Sequence, residues 1–253
     1  MSFSFPVSNG MEKDKTLPND PLIEALFKAG AHFGYSKSRR HPTIAPYIFG
    51  VKNHVEIFDL EKTKTLLSKA KDFVKGLGAQ GKTLLFVGGK SEAKDAVLKG
   101  ATVVGMPYVA GRWIGGSFTN FANIRGRVDR METLVKQREK GELTKYTKKE
   151  RLLIDKEIED LKRFFLGLAP MKELPAAIFV IDAKHERIAV AEARKTGIPV
   201  VGLLGSDCNF KDVTYPIVGN DSSIASITFF VDEIVKAYEE GTKEKKTQNL
   251  KQD

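Results

Sequence analysis

With a single cysteine, Cys208, the 253-residue chain has no partner for an internal disulfide and cannot build a cysteine-rich zinc site. Its four histidines, His32, His41, His54 and His185, are scattered and never fall at the i, i+4 spacing that sets two imidazoles on one helical face. No apolar run approaches the ~18 residues of a membrane span. The opening stretch MSFSFPVSNGMEKDK lacks both the apolar heart of a signal peptide and the arginines of a mitochondrial presequence. These gaps argue against disulfide scaffolds and helical membrane proteins. The expectation is a soluble cytoplasmic protein with no membrane partner, no cofactor and no metal.

What is present is a core-forming composition, 42% hydrophobic and 29% charged, with Lys+Arg 41 against Asp+Glu 32 and a net charge of +9. A pI near 9.4 suits a polyanionic partner. Charge alone does not decide the matter, because many basic proteins simply carry well-solvated lysine faces.

Residues 1–19 and 241–253 are polar and aperiodic, which predicts mobile tails. Folding is expected from Asp20-Pro21, an N-cap followed by proline at the first helical position, with Leu22, Ala25, Leu26 and Ala29 as the apolar stripe and Gly30 as the stop. Short strands are predicted at 55–58, 83–87, 108–109, 176–181, 199–204 and 215–218, separated by helical periods. Helical faces are read at Thr63, Leu67, Ala70 and Val74, at Ala93, Ala96 and Val97, at Ile188, Ala191 and Ala193, and at Ile224, Ile227, Val231 and Ile234. Strands that alternate with helices and read as continuous β-branched runs belong in a mostly parallel sheet covered on both faces. The fold class is therefore α/β, a doubly wound, Rossmann- or flavodoxin-like three-layer sandwich, formed by residues 20–113 and 170–240.

Between them, residues 114–169 show no strand pattern. Phe121, Ile124, Val128, Met131 and Val135 repeat at 3 and 4, as do Ile154, Ile158, Leu161, Phe165 and Leu168, the seam of a coiled coil. Thr147-Lys148-Lys149-Glu150 has the form of a capping box. An inserted antiparallel coiled-coil helical hairpin is predicted.

Two loops invite a chemical reading. Gly88-Gly89-Lys90-Ser91 ends like a phosphate-binding loop, but the first glycine of that motif would have to be Leu84, inside a strand. The simpler reading is a tight turn with Ser91 as N-cap, leaving Lys90 available to a phosphate. Asp182, His185 and Asp207 lie where α/β folds place ligand-binding groups, yet no nucleophile accompanies them, and Asp182 equally suits a cap for a helix starting near His185. Cys208 has no cation nearer in sequence than Lys211, so a reactive thiolate is not expected. No catalytic residue is assigned.

Basic clusters say more. Lys37, Arg39 and Arg40 share a loop with His41, and Lys52 and Asn53 follow an extended piece. The stretch Arg112-Trp113-Ile114-Gly115-Gly116-Ser117-Phe118-Thr119-Asn120 combines a cation, flexible glycines and small polar donors, the groups that meet RNA phosphates and sugars. Trp113 reads equally as a core anchor. On the hairpin, Arg125 and Arg127 head a series of cations set to track phosphates or to form an ordinary solvated face. The candidate RNA-binding set is Lys37, Arg39, Arg40, Lys52, Asn53, Arg112, Asn120, Arg125 and Arg127.

Seven strings, in order, resemble one family. Ala31-His32-Phe33-Gly34, Pro46-Tyr47-Ile48-Phe49-Gly50-Val51-Lys52-Asn53, Ile57-Phe58-Asp59-Leu60-Glu61-Lys62-Thr63, Arg112-Trp113-Ile114-Gly115-Gly116 through Thr119-Asn120, Leu174-Pro175-Ala176-Ala177-Ile178-Phe179-Val180-Ile181-Asp182, Glu192-Ala193 through Gly197-Ile198-Pro199, and Gly219-Asn220-Asp221 are together similar to ribosomal protein S2 of the small subunit. The match spans roughly residues 22–238. It implies a structural, non-enzymatic member of the bacterial 30S subunit. The implied partners are 16S-type ribosomal RNA and neighbouring small-subunit proteins, including the large messenger-binding protein one; DNA is not among them. Three places depart from the family: Ser36 to Pro42 carries Arg40 and His41 where an aromatic and asparagine are usual, Gly89 replaces a common threonine, and Asp207 to Asp212 is an eroded turn. The rival expectation is a Rossmann-like enzyme holding a phosphorylated small molecule between the loops 88–91 and 182–186, and a third is a free-standing RNA chaperone.

Overall fold

The computed structural model describes residues 20–249, with side chains through Lys245, so the tail expected over 1–19 lies outside the described residues. Asp20 caps α1 (Pro21–Lys28) by accepting the Leu22 N–H, and Gly30 turns the chain at φ +70°. There follow β1 (Phe33–Ser36), β2 (Ile48–Lys52) and β3 (Val55–Phe58), then α2 (Leu60–Gln80), β4 (Leu84–Val87), α3 (Ser91–Val103) and β5 (Tyr108–Val109). After the hairpin helices α4 (Phe121–Glu139) and α5 (Lys148–Phe165) come β6 (Ala177–Ile181), α6 (Arg187–Lys195), β7 (Val200–Leu204), β8 (Tyr215–Val218) and α7 (Ile224–Asn249).

Five strands form a wholly parallel sheet in the order β5-β4-β6-β7-β8. Because side chains alternate along a strand, the sheet feeds two separate cores. Leu84, Phe86, Phe179, Ile181, Val201, Leu203 and Ile217 meet α2, α3 and α7 on one face. Leu85, Val87, Ile178, Val180, Val200 and Leu204 meet α6, Trp113 and the base of the hairpin on the other. Every residue of β4, β6 and β7 is buried, which is why these strands read as unbroken apolar runs.

Three expectations need correcting. Val55–Phe58 does not join this sheet. It is the middle of a separate antiparallel sheet, order β1-β3-β2, whose outer strands were not predicted because they are short and half exposed. Second, residues 241–249 are not a tail but the end of α7. The physical reason is a close helix crossing: a Cβ at Gly241 would fall on the carbonyl of Lys75, and one at Gly78 on the carbonyl of Tyr238, so the missing side chains let α2 and α7 touch backbone to backbone. Lys75 and Glu244 then pair at 2.6 Å. Third, α6 is rotated relative to its predicted face: Ala193 is buried as expected, but Ile188 is 50% exposed and Ala191 is exposed, while Ala189 and Val190 are buried in their place.

Between β5 and β6, α4 and α5 run back along each other. Ile124, Val128, Met131 and Leu134 are buried facing Ile158 and Phe165, and Arg130–Glu157 at 3.2 Å and Arg138–Asp155 at 3.8 Å cross-link the pair. The capping box at Thr147 and Glu150 is complete. At the base, Gly167 is pressed against the carbonyl and ring of Tyr108 on β5, a contact that no side chain at position 167 would permit.

Candidate nucleic-acid interface

The strand order reverses direction between β4 and β6, and a doubly wound sheet normally keeps its ligand crevice at the carboxyl ends of such a pair. Here the chain fills that crevice itself. The Glu186 carboxylate accepts the Gly89 N–H at 2.9 Å, the bond a phosphate would otherwise take, and Glu186 also meets His185 Nδ1 at 2.7 Å. Lys90, the N-cap residue of α3 in place of the expected Ser91, is not free for a phosphate. Its ammonium lies 2.6 Å from Asp182 and 3.0 Å from Asp221. Burial alone would lower its pKa, but the attraction of Asp221 and the hydrogen bond of Asp182 overcome that and raise it.

Burial pushes Asp221 up to about 6, aided by the neighbouring Asp182 charge. Asp182 is drawn the other way: burial, its largest single influence, would raise the pKa, but the hydrogen bond and charge of Lys90 together with the His185 N–H and the Cys208 thiol outweigh it and lower the pKa. Asp182 itself sits at φ +62°, held there because its carboxylate accepts the N–H groups of Lys184 and His185. The expected trio of Asp182, His185 and Asp207 is thus not what converges. Asp182, Cys208 and Asp221 bring ligand atoms within 4.8 Å of one another, with the Lys90 ammonium supplying the cation. Burial raises the Cys208 thiol, which stays protonated and unreactive.

The antiparallel sheet closes over this cluster. Tyr35 N–H donates to Ser206 Oγ at 2.9 Å, His41 N–H to the Ser206 carbonyl at 2.8 Å, and Lys90 reaches the Tyr35 hydroxyl at 3.3 Å. Asn220 binds the carbonyls of Gly30 and Ala31, both at 3.0 Å.

Seen against these contacts, the nine sequence candidates separate into two groups. Arg39 stacks 4.1 Å above the Tyr35 ring and donates to Asp207 at 3.2 Å. Arg40 approaches the fully buried Glu56 carboxylate at 3.2 Å without an aligned hydrogen bond, and is that carboxylate's ion-pair partner. Arg125 donates to the carbonyls of Ala169 and Met171 at 3.1 and 3.3 Å and pairs with Asp129 and Glu132, bolting the hairpin's outgoing helix to its returning end. These three arginines are structural cations. Lys37, Lys52, Arg112 and Arg127 are instead exposed and have no carboxylate partner among the described residues. Asn53, exposed at φ 51°, turns the β2–β3 hairpin, and Asn120 is exposed at the start of α4 without capping it through its side chain.

Glu192, on α6, is the residue that sequence reasoning passed over. It is 9% exposed, and its two oxygens accept the N–H groups of Gly116 at 2.6 Å, Phe118 at 2.9 Å and Thr119 at 3.4 Å, with Trp113 Nε1 at 3.4 Å. One carboxylate therefore shapes the whole Arg112–Asn120 loop, with Gly116 at φ +91° supplying the turn that brings those N–H groups together. Its sequence signals were its place in one of the family-like strings and an acid on a short helix, neither of which names its partners.

Comparison with known proteins agrees with this architecture. The family model for ribosomal protein S2 matches residues 26–241. The chain belongs to the ribosomal protein S2 family. Relatives named small ribosomal subunit protein uS2 include that of Chloroflexus aurantiacus, 41% identical over 229 residues, which cover 90% of this chain and 96% of the relative. The Sulfurimonas denitrificans protein is 42% identical over 219 residues, 87% of this chain and 85% of its own length. That of Bdellovibrio bacteriovorus is 40% identical over 222 residues, 88% and 71% respectively. Membership in the S2 family makes this a structural protein and not an enzyme, which fits a crevice already filled by its own carboxylates. Among the described residues no helix is long and apolar enough to cross a membrane.

Proposed function

We propose that this chain is a structural constituent of the small ribosomal subunit that grips 16S-type RNA through Lys37, Lys52, Asn53, Arg112, Asn120 and Arg127. The observation that carries the reading is the separation of the cations. Those spent internally, Arg39, Arg40 and Arg125, hold loops in place, while the unpaired ones stand exposed on the loops and hairpin so ordered. Unpaired, exposed cations are what displaces counterions from a phosphate backbone.

A second surface suits protein. Phe27 and Phe49 are 59% and 82% exposed in a pocket that also contains Ile23, His32 and Ile57. Asp20, Glu24, Asp59 and Glu61 rim it, three of them paired with Lys64, Lys28 and Lys62, so the rim offers no excess of cations to a polyanion while its exposed aromatic floor suits an apolar segment of a protein. Neighbouring small-subunit proteins, among them the large messenger-binding protein one, are the partners this face fits.

The test is RNA binding as a function of salt. Replacing Lys37, Lys52, Arg112 and Arg127 by Gln should each flatten the log–log salt slope by about 0.7–0.9 and leave the melting temperature unchanged. The Arg39→Gln and Arg40→Gln proteins should instead melt earlier. Equal RNA affinity for wild type across a tenfold salt range, or no association with small subunits in lysate, would sink this reading.

A further inference from the structure

We propose that α6 carries a further RNA-backbone contact, a groove formed where its outer face meets Thr119 of the Arg112–Asn120 loop, with cations that the reading above does not use. The groove is lined by Thr119, Arg187, Ile188, Ala191 and Lys195, with the buried Glu192 as its floor. Arg187, Ala191 and Lys195 follow one another at i, i+4 and i+8, so they form a single ridge along the helix. Neither Arg187 nor Lys195 has an ion-pair or hydrogen-bond partner for its side chain among the described residues. The neighbouring Arg194, by contrast, is spent on Asp212 at 2.7 Å.

The occupant follows from charge and chemistry. Two free cations about 12 Å apart along the helix are wide enough for more than one phosphate, given about 3.4 Å of axis per phosphate in a strand. The Thr119 hydroxyl supplies a polar group beside them, and exposed Ile188 and Ala191 between them offer an apolar surface for a sugar or base face. The only acid in the groove, Glu192, turns its oxygens inward to Gly116, Phe118 and Thr119, so its charge is spent on backbone N–H groups. Glu192 thereby acts as a positioning residue. It fixes Thr119 against α6 and presents the Arg112 loop and the α6 ridge as one surface.

This inference rests on the RNA-binding reading, and the experiment keeps the two apart. Binding of full-length protein to small-subunit RNA is measured from 50 to 500 mM salt for wild type, for Arg187→Gln/Lys195→Gln, and for Lys94→Gln/Lys99→Gln on the exposed side of α3 as a charge control. The α6 pair should bind roughly tenfold more weakly at moderate salt and lose about 1.5 from the slope, with an unchanged melting temperature, while the control loses much less. Wild type that fails to bind RNA defeats the parent reading. Wild type that binds, with the α6 pair and the control indistinguishable, defeats this one alone. So does an α6 pair whose RNA binding is intact but whose incorporation into subunits fails, because the ridge then meets protein.

Discussion

The Glu192 carboxylate accepts the Gly116 N–H at 2.6 Å, across 76 residues of sequence, and so couples the loop entering the hairpin to a helix on the far side of it. Replacing Glu192 by Ala leaves the buried N–H groups of Phe118 and Trp113 and the partly buried one of Gly116 without their acceptor, at about 1–3 kcal/mol for each buried one left unsatisfied. The expected loss is about 3 kcal/mol in urea unfolding, with weaker RNA binding. Glu192→Gln, which keeps one acceptor oxygen, should fall between wild type and Ala on both readouts, and a fully stable Ala variant would contradict the role.

Lys90 neutralises two carboxylates that are almost wholly buried. Lys90→Met preserves the stem and removes the charge, stranding Asp182 and Asp221 beside each other. Breaking one partner out of a buried ion group typically costs about 3–5 kcal/mol. Calorimetry should show the melting temperature falling steeply, and adding Asp221→Asn to Lys90→Met should restore part of it.

Asp221 gives the protein a distinctive acid response. Its folded pKa, about 6, lies above the ordinary 3.8, so the folded state holds the proton more tightly than the unfolded chain. Its contribution is fully present below about pH 4 and fades as pH rises through 6, by roughly 3 kcal/mol in total. The stability gap between wild type and Asp221→Asn should therefore shift against wild type as pH goes from 4 to 7. Asp182, held low, moves oppositely: its contribution is present above about pH 3.8 and is lost on acidification. Urea midpoints at four or five pH values, in wild type and in each Asn variant, separate the two.

Gly241→Ala should destabilise by about 2–4 kcal/mol, because the added methyl meets the Lys75 backbone and not a side chain able to move aside. Gly126→Ala, on the open face of α4 with nothing within 4 Å, is the matched control and should be neutral or slightly stabilising. Chemical unfolding of both decides whether the α2–α7 crossing is as tight as drawn.

The parallel sheet was legible because β4, β6 and β7 are apolar at every position and are spaced by helical periods. Of the first sheet only β3 was legible, and its separate sheet was not, since β2 exposes Phe49, Val51 and Lys52 and β3 buries a charged Glu56, so no alternation marks the pairing. Ile188 misled for a related reason. A nine-residue helix with apolar groups on two sides does not announce which one faces inward. The basic loops were found, yet their division into structural and free cations was invisible. It depends on partners such as Asp207, 168 residues from Arg39, that only the folded chain brings near.

That long reach bears on how the molecule is made. The bond from Tyr35 to Ser206 spans 171 residues, and the seal from Asn220 to Gly30 spans 190. At about 5–20 residues added per second, the N-terminal sheet waits on the order of 10–35 s before its anchoring residues are synthesised. During that interval the exposed Phe27, Phe33 and Phe49 and the unmet Tyr35 edge are presented by a nascent chain with no finished domain behind them. Slowing synthesis or withholding chaperones is therefore expected to lower the yield of native protein through this first segment, before the finished sheet exists to stabilise it.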